Sequence, residues 1–397
     1  MNYILNLIKY KFFTKINNNY ITFISFNGKY ADSPKALTKY IHDLDKSKMI
    51  IWLVNDINNN EIPDYVLKIK YGTKEAWDYY CKSKIIIDNV YCMHENYLGG
   101  NDLFHKLKYI IISFLKNKKG QLFYTTWHGT PLKKIGTDSL RSKSTDFSCP
   151  NTTMILDNKH TADVIKKITL DKIKILLMGS PKNDILFDNK IKIEKLKKEL
   201  SLPSDNKIIL YAPSFRSNTD ETNDIERSGI NQMNQMDIDL LINTLNKKFG
   251  GDWTLVCRFH YKVEEKIDWN NINKKYGDKV INGNLHQDIM EYIKCSDILI
   301  TDMSSCLFEF ALIEKPVFLY FPDLEHYKNE ERGLYFDIQK LPFPYSTDFN
   351  LLIKEILNFD EKKYKNATKK FIKELGYTDK KMVSKEIAKY ILEDSKK

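Results

Sequence analysis

Residues 296–305 have the sequence SDILITDMSS, and this stretch decides the fold. Its apolar run, ILIT at 298–301, lies between polar residues and is typical of a strand buried in a parallel sheet. The polar turn DMSS follows at once, and residues 304–313 have a pattern that predicts a helix. A buried strand that leads directly into a helix is the repeating unit of an α/β fold.

The same alternation recurs along the chain. Strands of a first sheet are predicted at residues 20–26, 49–54, 84–88, 121–126, 153–157 and 173–178. Strands of a second sheet are predicted at residues 207–212, 253–258, 280–282, 298–301 and 317–320. Helices are predicted at residues 35–44, 237–249, 287–295 and 304–313, with a helical tail at 349–393. Two parallel sheets are therefore expected.

The length of the chain predicts two domains. A chain of 397 residues exceeds the size at which a single hydrophobic core stops growing, which is about 250 residues. The polar, lysine-rich stretch 188–207 is the expected boundary. We therefore expect an N-terminal domain at residues 19–187 and a C-terminal domain at residues 188–397, preceded by an amphipathic helix at residues 1–18.

That first helix combines apolar residues, such as Ile4 and Phe12, with interspersed Lys9 and Lys11. On a helix these make an apolar stripe flanked by cations, which is typical of a helix lying on a membrane surface. An equally weighted alternative is that the helix packs on its own domain. The formal charge of +10 suits anionic lipids, nucleotides or a polyanionic product without choosing among them, and an AT-rich genome would also produce the lysine excess.

Composition excludes an integral bundle of transmembrane helices, because 29% of residues are charged and mean hydropathy is −0.45. No cleavable signal sequence is evident at the N-terminus, so a cytoplasmic location is expected. The six cysteines form no C-x-x-C pair, which argues against a zinc site or a disulfide framework and favours reduced, mostly buried thiols.

Polar residues follow the predicted strands, where parallel sheets collect their ligands. Residues 302–305 open a helix, so free backbone N–H groups and two hydroxyls predict a site for the phosphates of a nucleotide. The alternative is that Ser304 or Ser305 only caps the helix. His128 and His260 follow strands in different domains, and imidazole can exchange protons near neutral pH.

Three arginines stand out in a chain dominated by lysine, because guanidinium groups bind phosphate oxygens in a bidentate manner. They are Arg216, Arg258 and Arg332. Each could instead form a surface ion pair.

Six blocks in order resemble the CDP-glycerol glycerophosphotransferase family, the primases and polymerases of teichoic acid and related capsule backbones. The blocks are ISFNGKYADSPK at 24–35, TWHGTPLK at 126–133, GSPKND at 179–184, LYAPSFR at 210–216, SDILITDMSS at 296–305 and RGLYFD at 332–337. The resemblance implies an α/β, glycosyltransferase-B-like architecture of two Rossmann-like domains facing a central cleft, with C-terminal helices packing back across both. The C-terminal domain would hold the donor and the N-terminal domain the acceptor.

The resemblance also implies roles for individual residues. His128 matches the catalytic base and His260 a second catalytic histidine near the donor phosphates. Donor and phosphate contacts are expected at Arg216, Arg258, Asp302, Ser304, Ser305 and Arg332. Acceptor-side contacts are expected at Gly28, Tyr30, Lys133, Lys182 and Asp184. No metal ligand and no cofactor are expected. The family usually has Arg at Lys182, Tyr at Met303, Asp at Glu309 and Gly at Phe343.

The expected reaction moves glycerol phosphate, or a related polyol phosphate, from a CDP-activated donor to an acceptor hydroxyl and releases CMP. CDP-glycerol and CDP-ribitol are both candidate donors, and a lipid-linked glycan or a growing polymer is the expected acceptor. The expected location is peripheral, on the cytoplasmic face of the membrane, with no nucleic-acid partner. The alternatives are a glycosyltransferase or nucleotide-sugar epimerase of the same architecture, and a basic membrane- or polyanion-binding protein without catalysis.

Overall fold

A computed structural model describes residues 8–90, 118–139, 152–170, 173–214, 229–260, 264, 267–325, 333–378 and 381–397. The chain divides into two compact units. Unit 1 comprises Met1–His128, Thr145–Phe187 and Thr378–Lys397, and unit 2 comprises Gly129–Ser144 and Asp188–Tyr377. The predicted ranges treated each domain as one continuous stretch, whereas the structure assigns residues 129–144 to unit 2 and residues 378–397 to unit 1.

Unit 1 contains a parallel sheet of seven strands in the order β3-β2-β1-β4-β5-β6-β7. The strands are β1 Asn17–Phe23, β2 Met49–Val54, β3 Val66–Lys70, β4 Ser83–Asp88, β5 Leu122–Thr125, β6 Thr152–Leu156 and β7 Lys174–Leu177. Its helices include α1 Asp32–Leu44, α2 Lys74–Lys82, α3 Lys159–Thr169 and α4 Asp184–Phe187. Both faces of this sheet are covered. Trp52 of β2 packs in one core cluster, while its neighbours Ile51 and Leu53 pack in the other.

Unit 2 contains a parallel sheet of six strands in the order β10-β9-β8-β11-β12-β13. The strands are β8 Lys207–Tyr211, β9 Trp253–Cys257, β10 Val280–Asn282, β11 Ile298–Thr301, β12 Val317–Tyr320 and β13 Tyr345–Ser346. The helices are α5 Ile193–Glu199, α6 Gly229–Asn234, α7 Ile238–Phe249, α8 Trp269–Tyr276, α9 Ile289–Cys295, α10 Cys306–Leu312, α11 Phe349–Leu357 and α12 Glu361–Glu374. The run ILIT forms β11 as predicted and is buried at every position.

The strand order has the same consequence in both units. In each sheet the order reverses once, between β1 and β4 in unit 1 and between β8 and β11 in unit 2. Loops that leave the carboxyl ends of two strands at such a point diverge to opposite faces and leave a crevice between them. These two switch points are therefore where ligand-binding side chains should be sought.

The C-terminal helix, Ser384–Asp394, is part of the core of unit 1. Its Ile387 and Ile391 are fully buried in the cluster that holds Leu37 and Ile41 of α1. The Asp184 carboxylate accepts hydrogen bonds from the backbone N–H groups of Val383 and Ser384, at 2.8 and 2.9 Å. A negative charge on the first N–H groups of a helix stabilises its start.

The N-terminal segment differs from the helix predicted over residues 1–18. A π-helical turn spans Lys9–Phe13 and β1 already begins at Asn17, while residues 1–7 lie outside the described residues. Tyr10 is buried, whereas Phe12 and Phe13 are 58% and 77% exposed. The chain here joins the sheet because β1 pairs with β4 from Asn17 onward.

Within the described ranges, no helix is long and apolar enough to cross a bilayer. Four of the six cysteines lie in those ranges, namely Cys81, Cys257, Cys295 and Cys306, and all four are buried free thiols. Burial raises the pKa of Cys295 and Cys306 to about 12, so these thiols are protonated at neutral pH.

We expect Asp184→Ala to loosen the C-terminal helix. The substitution removes a buried carboxylate that accepts two N–H groups, so the free energy of opening of this helix should fall by about 3 kcal/mol. Hydrogen exchange of residues 383–394, followed by mass spectrometry, measures that opening.

The matched control is Asp360→Ala, which removes the exposed cap of α12 and should cost about 1 kcal/mol in α12 alone. Unchanged protection of residues 383–394 in Asp184→Ala would contradict the assigned role.

Candidate active site

Asn89 organises the switch point of unit 1. It directly follows β4 and is fully buried. Its side-chain Oδ1 accepts a hydrogen bond from the backbone N–H of Phe26, in the loop after β1, at 3.2 Å. The two loops that leave the reversal point of the sheet are therefore joined by one amide side chain.

The His128 ring is held against the same residue. Its Nδ1 lies 3.0 Å from the backbone carbonyl oxygen of Asn89. A carbonyl oxygen only accepts hydrogen bonds, so Nδ1 carries the proton in the neutral ring and the basic lone pair is on Nε2. The ring also meets Phe26 edge-on, with centroids 6.1 Å apart, and Trp127 at 4.4 Å. This arrangement suits a general base that acts through Nε2.

Backbone strain is concentrated around this histidine. Phe26 and Asn27, in the loop between β1 and α1, have φ values of 41° and 58°, and Asp32, the first residue of α1, has φ of 66°. Trp127, which precedes His128, has φ of 52°. Residues other than glycine rarely adopt this left-handed backbone conformation, and those that do are enriched at functional sites. The surrounding contacts must hold the loop in this shape.

A buried ion pair supplies one of those contacts. The Lys182 ammonium group lies 3.9 Å from the Asp32 carboxylate, and both side chains are almost wholly buried. The same ammonium donates a hydrogen bond to the backbone carbonyl of His128 at 2.9 Å. The backbone N–H of Lys182 donates to Ser33 Oγ at 3.2 Å. Lys182 therefore ties the β1–α1 loop to the histidine that follows β5.

Three residues predicted on the acceptor side have structural contacts in unit 1. Tyr30 is 5% exposed and packs edge-on against Trp52, with centroids 4.8 Å apart. Gly28 has φ of 107°, and a Cβ there would lie 2.7 Å from Asn55 Oδ1, so only glycine fits the turn. Asp184 holds the start of the C-terminal helix, as described above. Their assignment to acceptor binding stays a prediction.

The switch point of unit 2 contains the predicted turn after β11. Asp302 Oδ1 accepts a hydrogen bond from the backbone N–H of Ser214 at 2.8 Å, and Thr301 Oγ1 donates to the carbonyl of Ala212 at 2.6 Å. Ala212 and Ser214 follow β8. The loops after β8 and β11 are thus joined at the point where the sheet order reverses, and Asp302 sets that join.

Ser304 and Ser305 lie in this turn and are half-buried. Ser305 precedes α10, and its side chain makes no capping hydrogen bond. The capping alternative therefore does not describe Ser305. Both hydroxyls remain candidates for phosphate oxygens.

Lys133 belongs to unit 2 and not to the acceptor domain in which it was predicted. Its ammonium group donates to Ser214 Oγ at 3.0 Å. Lys133 forms an antiparallel bridge with Leu334, and Tyr335 donates its backbone N–H to the carbonyl of Leu132 at 2.9 Å. These long-range contacts hold residues 129–144 in unit 2. They bring a cation to the crevice that also contains Asp302.

Arg258 is used differently from the prediction. Its guanidinium group donates to the carbonyls of Gly283, His286 and Gln287, at 2.5, 2.7 and 2.7 Å. It also lies over the Tyr292 ring, 5.5 Å from the centroid. These hydrogen bonds use its N–H donors to hold the loop after β10. Phosphate binding by Arg258 therefore stays a prediction that its geometry does not favour.

Asn284 holds the strand exit that leads to His260. Its side chain accepts from the backbone N–H of Phe259 at 2.9 Å and donates to the carbonyl of Phe259 at 2.8 Å. His260 comes next and is half-buried. Arg216 and Arg332 lie outside the described residues. Among the described residues, no group of three or more His, Cys, Asp and Glu side chains is placed to hold a metal ion.

Sequence reasoning missed Asn89, Asp32 and Asn284, which position the predicted histidines. Asn89 and Asn284 each follow a strand of a parallel sheet, which is a usable signal. Asp32 lies within the family-like block at 24–35 but was not singled out.

Comparison with known proteins identifies the family. The family described as CDP-Glycerol:Poly(glycerophosphate) glycerophosphotransferase matches residues 6–393. The chain belongs to this family. A teichoic acid poly(glycerol phosphate) polymerase of Staphylococcus epidermidis is 27% identical over 359 residues, which is 86% of this chain but only 46% of that protein. A polymerase of the same description from Bacillus spizizenii is 27% identical over 404 residues, covering 95% of this chain and 92% of that protein.

A solved structure of the wall teichoic acid polymerase TagF, in a histidine-to-alanine variant, has the same fold. It superimposes with a TM-score of 0.76 at 25% identity and covers 98% of this chain and 93% of that one. The predicted membership of the glycerophosphotransferase family, the transferase class and the Rossmann-like α/β fold are confirmed.

For this glycerophosphotransferase, we expect nitrogen NMR to find His128 in the Nδ1–H tautomer. A neutral histidine side chain in water favours the Nε2–H form, so the carbonyl of Asn89 must reverse the preference. A long-range spectrum that correlates the ring nitrogens with the carbon-bound ring protons distinguishes protonated from unprotonated nitrogens.

The His128→Gln variant assigns the signal by its disappearance. A protonated Nε2 and an unprotonated Nδ1 in the neutral ring would contradict the assigned tautomer.

Proposed function

We propose that this protein transfers glycerol phosphate, or a related polyol phosphate, from a CDP-activated donor to an acceptor hydroxyl and releases CMP. The observation that carries the proposal is the His128 imidazole, fixed by the Asn89 carbonyl with its lone pair on Nε2, in a chain of the glycerophosphotransferase family. Family membership also weighs against the glycosyltransferase, epimerase and non-catalytic alternatives.

The proposed reaction begins with proton transfer. Nε2 of His128 accepts the proton of the acceptor hydroxyl, and the oxygen attacks the phosphorus that carries the polyol. The new oxygen–phosphorus bond forms as the bond to the bridging oxygen breaks, and CMP leaves with that electron pair. Phosphoryl transfer asks the protein mainly for positioning and charge stabilisation. The contacts of Asn89 and Lys182 supply the positioning.

Unit 2 supplies the groups proposed to bind the donor. The Lys133 ammonium group, the hydroxyls of Ser304 and Ser305, and backbone N–H groups of their turn suit the oxygens of a pyrophosphate. Lys133 is therefore proposed to bind the donor and not the acceptor. His260, Arg216 and Arg332 keep their proposed places near the phosphates, on the resemblance alone.

Glycerol phosphate is favoured over ribitol phosphate because the two polymerases compared above are named for poly(glycerol phosphate). The proposed acceptor is a lipid-linked glycan or a growing polymer of the teichoic acid or capsule type. Peripheral contact with the cytoplasmic face of the membrane fits the exposed Phe12 and Phe13 beside lysines. Primer synthesis and polymerisation are both compatible with this reaction.

The central experiment is a donor panel. CDP-glycerol, CDP-ribitol and UDP-sugars are each incubated with protein and a soluble acceptor, and the released nucleotide is measured. We expect CMP from CDP-glycerol and no UDP from UDP-sugars. His128→Ala should lower CMP release by at least about 100-fold while donor binding persists, since general bases contribute about 10²–10⁴-fold.

His42→Ala is the matched control, because His42 is half-buried in α1 and stacks on Tyr65. It should retain turnover. Normal turnover in His128→Ala would end the proposed mechanism, and UDP release in place of CMP would end the proposed donor class.

A second expectation separates positioning by Lys182 from acceptor binding. Lys182→Met should lower kcat by about 10–100-fold through displacement of His128, with the KM for donor and acceptor little changed. Lys182→Arg keeps the charge and should recover most of kcat. A raised acceptor KM with unchanged kcat would instead support direct acceptor binding.

Breaking a buried ion pair by removing one partner costs about 3–5 kcal/mol, so folding needs its own control. The double variant Asp32→Asn/Lys182→Met removes both charges and should fold better than Lys182→Met, as thermal unfolding measures. It should still show the low kcat.

A further inference from the structure

A cavity of about 780 Å³ lies at the amino ends of strands in the unit 1 sheet, whereas His128 lies beyond the carboxyl end of β5. Its described lining includes residues that precede or begin β5, β6 and β7, such as Gln121, Thr152 and Lys174. His128 follows the other end of β5. The four residues of that strand span about 13 Å, so the two sites are separate.

Four lysines line this cavity, namely Lys11, Lys118, Lys119 and Lys174, and no acidic residue is among its described lining. Lys119 is exposed. The Lys174 ammonium group donates to Tyr390 Oη at 2.8 Å, and Tyr390 is not among the described lining residues. A concave surface lined by positive charges attracts anions.

Lys118 is the most informative of the four. It is 6% exposed, and its ammonium group donates to the backbone carbonyls of Tyr10, at 2.7 Å, and Thr14. The group also lies 4.8 Å from the centre of the Tyr10 ring. An ammonium group has three N–H donors, and no carboxylate in the described part of the chain pairs with it. Burial lowers the pKa of Lys118, so an anion in the cavity would stabilise its charged form.

A further feature of the cavity points to the kind of anion. Phe12 lines the same cavity while 58% exposed, which places an apolar side chain at its rim. Cations beside an apolar rim suit an anionic group that carries a small organic substituent.

We propose that this cavity is a second anion site that binds a phosphodiester of the glycerol phosphate type, apart from the site of transfer. The inference rests on the proposed function only for the choice of glycerol phosphate diesters as ligands. The same chemistry has two sources, the head group of phosphatidylglycerol and a soluble glycerol phosphate chain. One cavity can accept either, because both present two non-bridging diester oxygens next to a glycerol that carries a free hydroxyl.

The test measures binding directly on the full chain. Glycerophosphoglycerol is titrated by calorimetry, and vesicles of phosphatidylglycerol are compared with vesicles of phosphatidylcholine by flotation. We expect binding in at least one arm, weakened by salt. Lys11→Glu/Lys119→Glu should weaken it at least about tenfold, because two cations at the cavity become anions.

The matched control is Lys39→Glu/Lys46→Glu, which makes the same charge change at two exposed positions of unit 1 that do not line the cavity. If the cavity variant loses binding of the soluble diester and the control variant does not, the site is supported and its ligand is a soluble chain. Loss of phosphatidylglycerol binding alone supports it with a lipid source. Absence of binding in both arms, or equal weakening by the control variant, overturns the inference.

A transfer assay keeps the two proposals distinguishable. It measures CMP release from CDP-glycerol in the presence of a soluble acceptor. The cavity variant should retain that release, because its substitutions lie at the opposite sheet edge from His128. Binding without any CMP release would sink the proposed transferase and leave the anion site standing.

Discussion

The hydrogen bond between His128 Nδ1 and the Asn89 carbonyl is the constraint on which the proposed chemistry depends. It fixes both the orientation of the imidazole and the nitrogen that carries the lone pair. Asn89 can do this because it is itself anchored at the reversal point of the unit 1 sheet, where its side chain binds the backbone of Phe26. The parallel sheet thereby sets the position of the His128 imidazole through two hydrogen bonds.

Three buried or half-buried charged side chains bind backbone groups. Lys182 donates to the His128 carbonyl, Asp184 accepts from the start of a helix, and Arg258 donates to three carbonyls of one loop. A charged group makes stronger hydrogen bonds than a neutral one, so each can fix a loop or the start of a helix. Charge serves here to shape the backbone around the candidate site.

Much of the fold could be predicted because its strands are continuous apolar runs, such as ILIT in β11 and MIIWLV in β2. The strand β3, with the alternating sequence VLKIK, and the two-residue β13 were missed, since edge and very short strands carry a weak apolar signal. His128 could be singled out from its place after a strand. The transfer of Lys133 to unit 2 could not, because it depends on its bridge to Leu334, far along the chain.

The threading of unit 1 has a consequence for synthesis on the ribosome. Its hydrophobic core includes Ile387 and Ile391, so the cluster that contains Leu37 and Ile41 of α1 stays incomplete until the helix Ser384–Asp394 has emerged. Unit 2, at residues 188–377, leaves the exit tunnel before that helix does. Unit 1 is therefore completed only after residues 188–377 have been made, and its nascent core has an exposed apolar surface during that interval.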